Sequence, residues 1–331
     1  MNIAFISENG FEGKVPRTFE NARVEFAWMI ALNANHYNIK NVDKVKDYDR
    51  VFIILPKVKT NLSAEGSEIG HRIYDERATY LTVNFIKGIK DNNKKVYIMQ
   101  EGPNWLFNDY SVTEQFGYYS CLNECDGIFV HNEIDKKFYS GITYGIKNVN
   151  VMRSLMIEDS ISSIKNTTED KTLIGGNFSR WYGGFQSFLV GRIFGNDLIT
   201  QTSHSKREGE EFIGGLKHLP RVSWLEWMKE VSNFKYAVHL MPTIAAGTFS
   251  LNCAYFGIPC IGNKDVDTQR LCFPDLSVDI NDIESAVKLA RNLKDEDFYN
   301  ECKDKAKKMY KKHYTEKVWK ANIMRILDEQ D

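Results

Sequence analysis

The sequence predicts an α/β protein of two domains, each a mostly parallel sheet with helices on both faces. Three observations predict it. The 331 residues suffice for two ordinary domains with their own cores. Short apolar runs of strand character alternate with helical stretches along the whole chain, the pattern of parallel sheets. A polar, Ser/Thr/Asn-rich segment at 157–171 interrupts the alternation, which then restarts, so this segment reads as a linker. The expected division is 1–165, 166–310 and a C-terminal helix at 311–331 placed to cross back to the first domain.

Taken in order, the first strand is Ile3–Ser7, followed by the loop Glu8-Asn-Gly-Phe-Glu-Gly-Lys-Val-Pro-Arg17. That loop carries Gly10, Gly13, Lys14 and Arg17, and opens a helix over 25–32. Strands follow at Arg50–Leu55 and Lys95–Gln100, separated by a polar, helix-compatible stretch at 64–90. A helix at 111–124, a strand at 127–131, a helix at 133–140 and a strand at 148–153 complete the first half. The second half repeats the theme with a strand at 172–176, a loop at 177–184, a helix at 185–194 and a strand at 198–202. A helix preceded by Ser223-Trp224 runs to 233, then come strands at 236–240 and 258–262 with a short helix between them. Helices at 282–293 and 297–327 end the chain, the last lysine-rich on a face best read as solvated.

Composition excludes several classes. Lys plus Arg (43) nearly balances Asp plus Glu (44), so no global field selects nucleic acid or an anionic membrane. The six cysteines (121, 125, 253, 260, 272, 302) show no Cys-x-x-Cys spacing and no His cluster, and read as free thiols of a reducing cytosol. The N-terminus reads as a strand, not a signal peptide, and no apolar run approaches the roughly 18 residues of a membrane span. A cytoplasmic location is expected. Neither half carries Gly-x-Gly-x-x-Gly after its first strand, which disfavours a dinucleotide oxidoreductase, and no P-loop exists.

In such sheets ligands sit at the carboxyl ends of strands. The residues to inspect are therefore the Gly10–Gly13 loop, Glu101 to Trp105, and His131-Asn132. Glu101 reads as a general base or acceptor-hydroxyl ligand, with capping of the following turn as the structural alternative. His131 reads as catalytic or as a satisfied structural histidine. In the stretch 241–261, Gly247 permits a tight turn, while Thr248 and Ser250 suit a helix N-terminus. Backbone N–H groups there, with the helix dipole behind them, would suit an anion such as a diphosphate. Asp265-Val-Asp267 has the form of an Asp-x-Asp metal motif, but other acidic-x-acidic triplets in the chain favour a plain loop.

The run Phe234-Lys-Tyr-Ala-Val-His-Leu-Met-Pro-Thr, Gly247, and Asn252-Cys-Ala-Tyr-Phe-Gly-Ile-Pro-Cys-Ile resembles the donor site of GT-B glycosyltransferases, above all glycosyltransferase family 4. Cys125-Asp-Gly-Ile-Phe-Val-His-Asn-Glu and Leu173-Ile-Gly-Gly-Asn-Phe-Ser-Arg180 are similar to the family's acceptor-domain strands and second-domain opening. The resemblance implies two Rossmann-like domains facing each other across a cleft. Register fixed by Gly257-Ile-Pro259 places Asn252 where the family has a ribose-binding Glu, and Ile244 where it has another Glu. Both carboxylates are thus replaced. The resemblance further implies diphosphate contacts from Arg180 and from Lys206 or Lys14, with Gly247, Thr248, Phe249 and Ser250 at the diphosphate and Ser223 and Trp224 at the base. The Gly10-Phe-Glu-Gly-Lys-Val loop resembles that of bacteriophage DNA α-glucosyltransferases. Gly13 joins Glu101 and His131 in the candidate catalytic set, Lys14 and Arg17 are the candidate acceptor contacts, and Lys57 and Lys59 are further cations that could meet phosphates.

These resemblances imply a retaining, metal-independent transferase. Its donor is a nucleotide-diphosphate sugar, with uridine as the base, used as co-substrate without a separate cofactor. The acceptor implied by the loop is a hydroxymethylated base in phage DNA, in the host cytoplasm. Alternative acceptors are a polysaccharide or a lipid-linked glycan. Alternatives of another class are a non-catalytic binding protein and a sugar-nucleotide epimerase on the same scaffold. Oligomeric state stays open.

Overall fold

The structure is a computed structural model that describes residues 1–8, 10–55, 81–90, 94–109, 111–176, 178, 181–201 and 209–329. Arg180, Lys206, Lys57 and Lys59 lie outside the described residues. The chain divides into two compact units. Unit 1 comprises Met1–Phe19, Val24–Arg153 and Lys320–Asp331; unit 2 comprises Glu20–Arg23 and Ser154–Trp319.

Unit 1 contains β1 (Ile3–Ser7), β2 (Gly13–Lys14), α1 (Glu25–Leu32), β3 (Asn35–Asn38), β4 (Arg50–Leu55), α2 (Val83–Lys90), β5 (Lys95–Gln100), α3 (Val112–Glu124), β6 (Gly127–Val130), α4 (Glu133–Ile142) and β7 (Asn148–Val151). Among the described residues its sheet runs β2-β3-β1-β4-β5-β6-β7. Every pair is parallel except β2–β3. Alternate strand residues point to opposite faces. Ala4, Ile6, Val51, Ile53, Val96, Ile98, Ile128 and Val130 join Ile86, Ile89, Tyr118 and Leu122 of α2 and α3 in one core cluster. Phe5, Phe52, Tyr97 and Phe129 form a row of rings with centroids 4.9, 5.1 and 5.5 Å apart in turn. Trp28 of α1 stands edge-on to Phe129. Burial on both faces is why β1, β4 and β5 read as continuous apolar runs.

β3 has no such signature. Its Asn-His-Tyr-Asn sequence is held by side-chain pairs, His36 Nε2 with Ser7 Oγ at 2.8 Å and the Tyr37 hydroxyl with that of Tyr48 at 2.8 Å. α3 starts on a capping box, Ser111 with Glu114, and α4 on Asn132, whose side chain accepts from the Asp135 N–H at 2.7 Å.

Unit 2 contains β8 (Glu169–Ile174), α5 (Gly184–Gly191), β9 (Asp197–Gln201), β10 (Leu216–Leu219), α6 (Trp224–Val231), β11 (Phe234–His239), α7 (Thr248–Phe256), β12 (Cys260–Asn263), α8 (Asp267–Cys272), β13 (Ser277–Val278), α9 (Ile283–Asn292) and α10 (Glu296–His313). The sheet among described residues is β10-β9-β8-β11-β12-β13, parallel throughout.

The expected linker is not a free tether. Just before it, Ser154 Oγ donates to the Ala246 carbonyl at 2.8 Å; within it, Asn166 Nδ2 donates to the Phe256 carbonyl at 3.0 Å and the Thr167 N–H to the Ser232 carbonyl at 3.2 Å. Its polar side chains and backbone thus stitch it to unit 2, and the division falls after Arg153 in place of 165. The helix expected at 297–327 is also two. α10 ends at Tyr314, a fully buried C-cap, and α11 (Glu316–Asp328) restarts where Thr315 Oγ accepts from the Val318 N–H. From Lys320 onward α11 belongs to unit 1, where Arg50 donates to both the Leu327 carbonyl (3.1 Å) and the Tyr97 hydroxyl (2.9 Å). No helix among the described residues is long and apolar enough to cross a membrane.

Candidate functional site

In unit 2 the chain leaves β8 for β9 and β10 on one side of the sheet and returns to β11 on the other. Strand order therefore reverses between β8 and β11, and in open parallel sheets ligands gather at the carboxyl ends of strands at such a point. The residues there are Gly175-Gly176 after β8, and His239 at the end of β11 with Leu240 to Pro242 after it. Two helices begin beside them. α5 starts on Gly183 (φ 64°) and α7 on Gly247 (φ 70°), both left-handed and both without a side-chain cap hydrogen bond. Their first-turn N–H groups carry no side-chain partner at the cap, which is the usual makeup of an anion-binding helix start.

Both glycines are required by space as well as by φ. A Cβ on Gly183 would overlap the Leu240 carbonyl oxygen, and one on Gly247 would lie 2.5 Å from Thr268 Oγ1. Ser187 fastens the arrangement: its hydroxyl donates to the Gly183 carbonyl at 2.8 Å and accepts from the Leu240 N–H at 2.9 Å. The start of α5 is thereby tied to the segment leaving β11.

Several donor-side expectations are corrected in detail. Thr248 and Ser250 do not cap α7, because Gly247 occupies the cap and Ser250 Oγ instead donates to Gln269 Oε1 at 2.9 Å. Thr248 and Phe249 occupy the first turn, half-buried. Ser223 is the N-cap of α6 in a capping box with Glu226, and Trp224 is 2% exposed, a core residue whose N–H donates to Asn21 Oδ1 at 2.9 Å. Trp224 offers no surface to a base, and the half-buried Ser223 hydroxyl is engaged at its own helix start. Asn252 is buried, and in the amide orientation that satisfies both neighbours it accepts from Trp227 Nε1 and donates to the Thr248 carbonyl, each at 3.2 Å. Asn252→Ala is expected to cost about 1–3 kcal/mol of unit 2 stability by orphaning those groups, with a nucleotide affinity that follows stability and not a lost ribose contact. Denaturant melts beside nucleotide titrations check this. Asp267 lies in the first turn of α8, paired with Arg270 at 3.0 Å, and the Asp265 N–H donates to Asn263 Oδ1. The Asp265-x-Asp267 triplet is thus a helix-start loop.

In unit 1, Glu101 follows β5 half-buried, its N–H donating to the Leu55 carbonyl at 2.5 Å. His131 follows β6, 4% exposed, edge-on to Trp28 with centroids 5.7 Å apart. Its Nδ1 lies 3.2 Å from the Met152 carbonyl, so Nδ1–H donates there and Nε2 keeps its lone pair, with no partner. Burial pulls the His131 pKa down, opposed by the charge of Glu101. The structure thus places these two candidates within electrostatic reach of one another. Gly13 lies in β2 paired with His36, and Lys14 and Arg17 are exposed.

Buried neutral histidines predict acid lability. Burial depresses His36 and His239 to about 4, and lowers His131 too. With folded values below the unfolded value of about 6.5, stability is full above pH 6.5 and is lost as pH falls toward 4. At pH 5 the loss is about 2 kcal/mol for His36, which is 1% exposed, and less for the half-buried His239. Melting temperature measured from pH 7.5 to 4.5 should fall below pH 6.5; a flat profile would contradict these burials.

No family model matches the sequence, and no curated protein matches it. Solved structures do. Anabaena HepE in complex with UDP aligns over 99% of this chain and 100% of its own, at 9% identity and a TM-score of 0.63. Sucrose-phosphate synthase from Thermosynechococcus elongatus aligns over 99% and 98%, at 10% identity and 0.60. An alpha-glucosyltransferase in complex with UDP and a 13-mer DNA containing an HMU base aligns over 99% of each chain, at 15% identity and 0.60. The fold is GT-B. Both sheets of the GT-B architecture are present, and the glycine-capped helix starts lie in its second domain.

The sequence reading named the carboxyl-end loops and Gly247 and did not single out His239, Gly183 or Ser187. A lone histidine inside the apolar run 236–240 was the available signal for His239.

Proposed function

We propose that the chain is a glycosyltransferase that draws a sugar from a uridine-diphosphate donor held by unit 2. The observation that carries this is the pair of uncapped, glycine-started helices, α5 and α7, at the reversal of strand order between β8 and β11. In transfer, the bond between the anomeric carbon and the β-phosphate oxygen breaks and one to the acceptor oxygen forms. The acceptor proton leaves with the departing diphosphate or is taken by a base, for which Glu101 and His131 are the candidates in unit 1. The developing charge on the diphosphate is stabilised by preorganised N–H groups of α5 and α7, supplemented by Arg180 and Lys206. This arrangement supports a metal-independent reaction, and the family resemblance supports retention of configuration. Structural likeness to UDP-bound proteins supports uridine as the base.

For the acceptor we propose a hydroxymethylated pyrimidine in DNA. The Gly10-Phe-Glu-Gly-Lys-Val loop and the likeness to a glucosyltransferase bound to HMU-containing DNA support it. The near-zero net charge means that binding would rest on local cations such as Lys14 and Arg17, and would weaken with salt.

The test is a thermal-shift panel of nucleoside diphosphates, followed by UDP-sugars with and without HMU-containing DNA, a lipid-linked glycan or a polysaccharide. Stabilisation by UDP and transfer to modified DNA alone is the expected result. Transfer to a glycan overturns the DNA acceptor; binding without turnover makes the protein a binding module; conversion of the donor without acceptor makes it an epimerase. The anomer formed reads the stereochemistry.

A further inference from the structure

We propose that His239 is a ligand-contacting residue of the donor site, its Nε2 hydrogen-bonding a diphosphate oxygen of the bound nucleotide. The proposal rests on the nucleotide-sugar reading above and adds a residue to it.

His239 is the last residue of β11, at the reversal of strand order. Its backbone neighbours Val238 and Leu240 are fully buried and apolar, so the position sits in an apolar strand end. One side of the ring lies against Gly175, where a Cβ would come within 2.6 Å of the imidazole. A glycine at the end of β8 is thus what makes room for this ring. On another side stands Phe249, in the first turn of α7, with ring centroids 4.4 Å apart and planes tilted by 50°. The imidazole is therefore lodged between the end of β8 and the start of α7, next to the segment that Gly183 and Ser187 clasp.

His239 as a whole is half-buried, but its Nε2 is out of water and has no hydrogen-bond partner among the described residues. A buried polar atom left unpaired destabilises a fold, and a phenylalanine or leucine here would avoid that cost. An unpaired group persisting at a ligand-binding strand end is accounted for if a ligand completes it. Burial keeps the ring neutral, so one nitrogen carries a proton that it can donate to a phosphoryl oxygen alongside the helix N–H groups.

The experiment titrates UDP into wild type, His239→Phe and His239→Gln by calorimetry, with nucleotide-free melts of each and 15N spectra of the imidazoles. Expected is an approximately tenfold loss of UDP affinity in His239→Phe with a melting temperature at or above wild type. His239→Gln, whose amide nitrogen falls near the Nε2 position, should recover most of the affinity, and the wild-type Nε2 resonance should shift on saturation. Equal affinity in His239→Phe, or an Nε2 resonance unmoved by saturating UDP, overturns the proposal. Failure of wild type to bind any nucleoside diphosphate instead overturns the nucleotide-sugar reading on which it stands.

Discussion

Gly183→Ala is expected to lower the stability of unit 2 by about 3 kcal/mol and to abolish tight nucleotide binding. Two costs combine. A side chain at φ 64° carries the left-handed penalty, about 1–2 kcal/mol. The new Cβ also overlaps the Leu240 carbonyl oxygen, a backbone atom that cannot rotate out of the way. Overpacking of that kind costs about 1–3 kcal/mol. Relief would push the start of α5 away from the segment after β11 and strain the Ser187 clasp that joins them. The melting transition of unit 2 should fall by about 6–12 °C in calorimetry. Gly13→Ala is the matched control: nothing lies within 4 Å of its Cβ, so its melt should stay within about 0.5 kcal/mol of wild type. A wild-type melt and wild-type UDP affinity in Gly183→Ala would show that the helix start can be rebuilt without the glycine, and the donor-site geometry would have to be redrawn.

Ending the chain after Trp319 should unfold unit 1 while unit 2 keeps its own transition. The removed residues include Ile323, Ile326 and Leu327, all buried, each stabilising by about 1.5–3 kcal/mol. Their loss also takes away the Leu327 carbonyl that accepts from the Arg50 guanidinium, which is 3% exposed. Losing that hydrogen bond to a charged group adds about 1.5–3 kcal/mol, while the Tyr97 contact of Arg50 remains. The sum is comparable to the whole stability of an ordinary domain, about 5–15 kcal/mol. Limited proteolysis should cut the truncated protein within unit 1 first, and one of two calorimetric transitions should vanish. The milder Leu327→Ala should retain both, with the unit 1 transition lowered by about 2–5 kcal/mol. Two intact transitions in the truncated chain would mean that the last helix is an appendage.

What could be read from the sequence tracks where hydrophobic pattern decides structure. β1, β4 and β5 were legible to the residue because both faces of each are covered, leaving a continuous apolar run. β3 and β10 were not, since Asn-His-Tyr-Asn and Leu-Lys-His-Leu owe their strand state to neighbours and side-chain pairs at the flank of a sheet. The same limit governs the site. Residue type suggested Thr248 and Ser250 as caps, whereas backbone conformation gave that position to Gly247, and only the turn geometry distinguishes the two. Asn252 has the chemistry of a ribose ligand, but Trp227, distant in sequence, engages its amide. Glu101 and His131 follow the adjacent strands β5 and β6, as the sequence reading had them, because strand ends in a parallel sheet are fixed by topology. His239 is the converse: its meaning lies in having no partner, a property no local sequence pattern encodes.

The chain passes between its two units four times, at Phe19, Arg23, Arg153 and Trp319. On the ribosome this has a cost in time. The named strands of unit 1 have all been made once residue 153 is added, yet the piece whose Leu327 carbonyl accepts from Arg50 is made only after residues 154–319 of unit 2. At synthesis rates of about 5–20 residues per second, the intervening 154–319 keep that surface uncovered for roughly 8–30 s. Through that interval unit 1 must hold together without Ile323, Ile326 and Leu327 in its core.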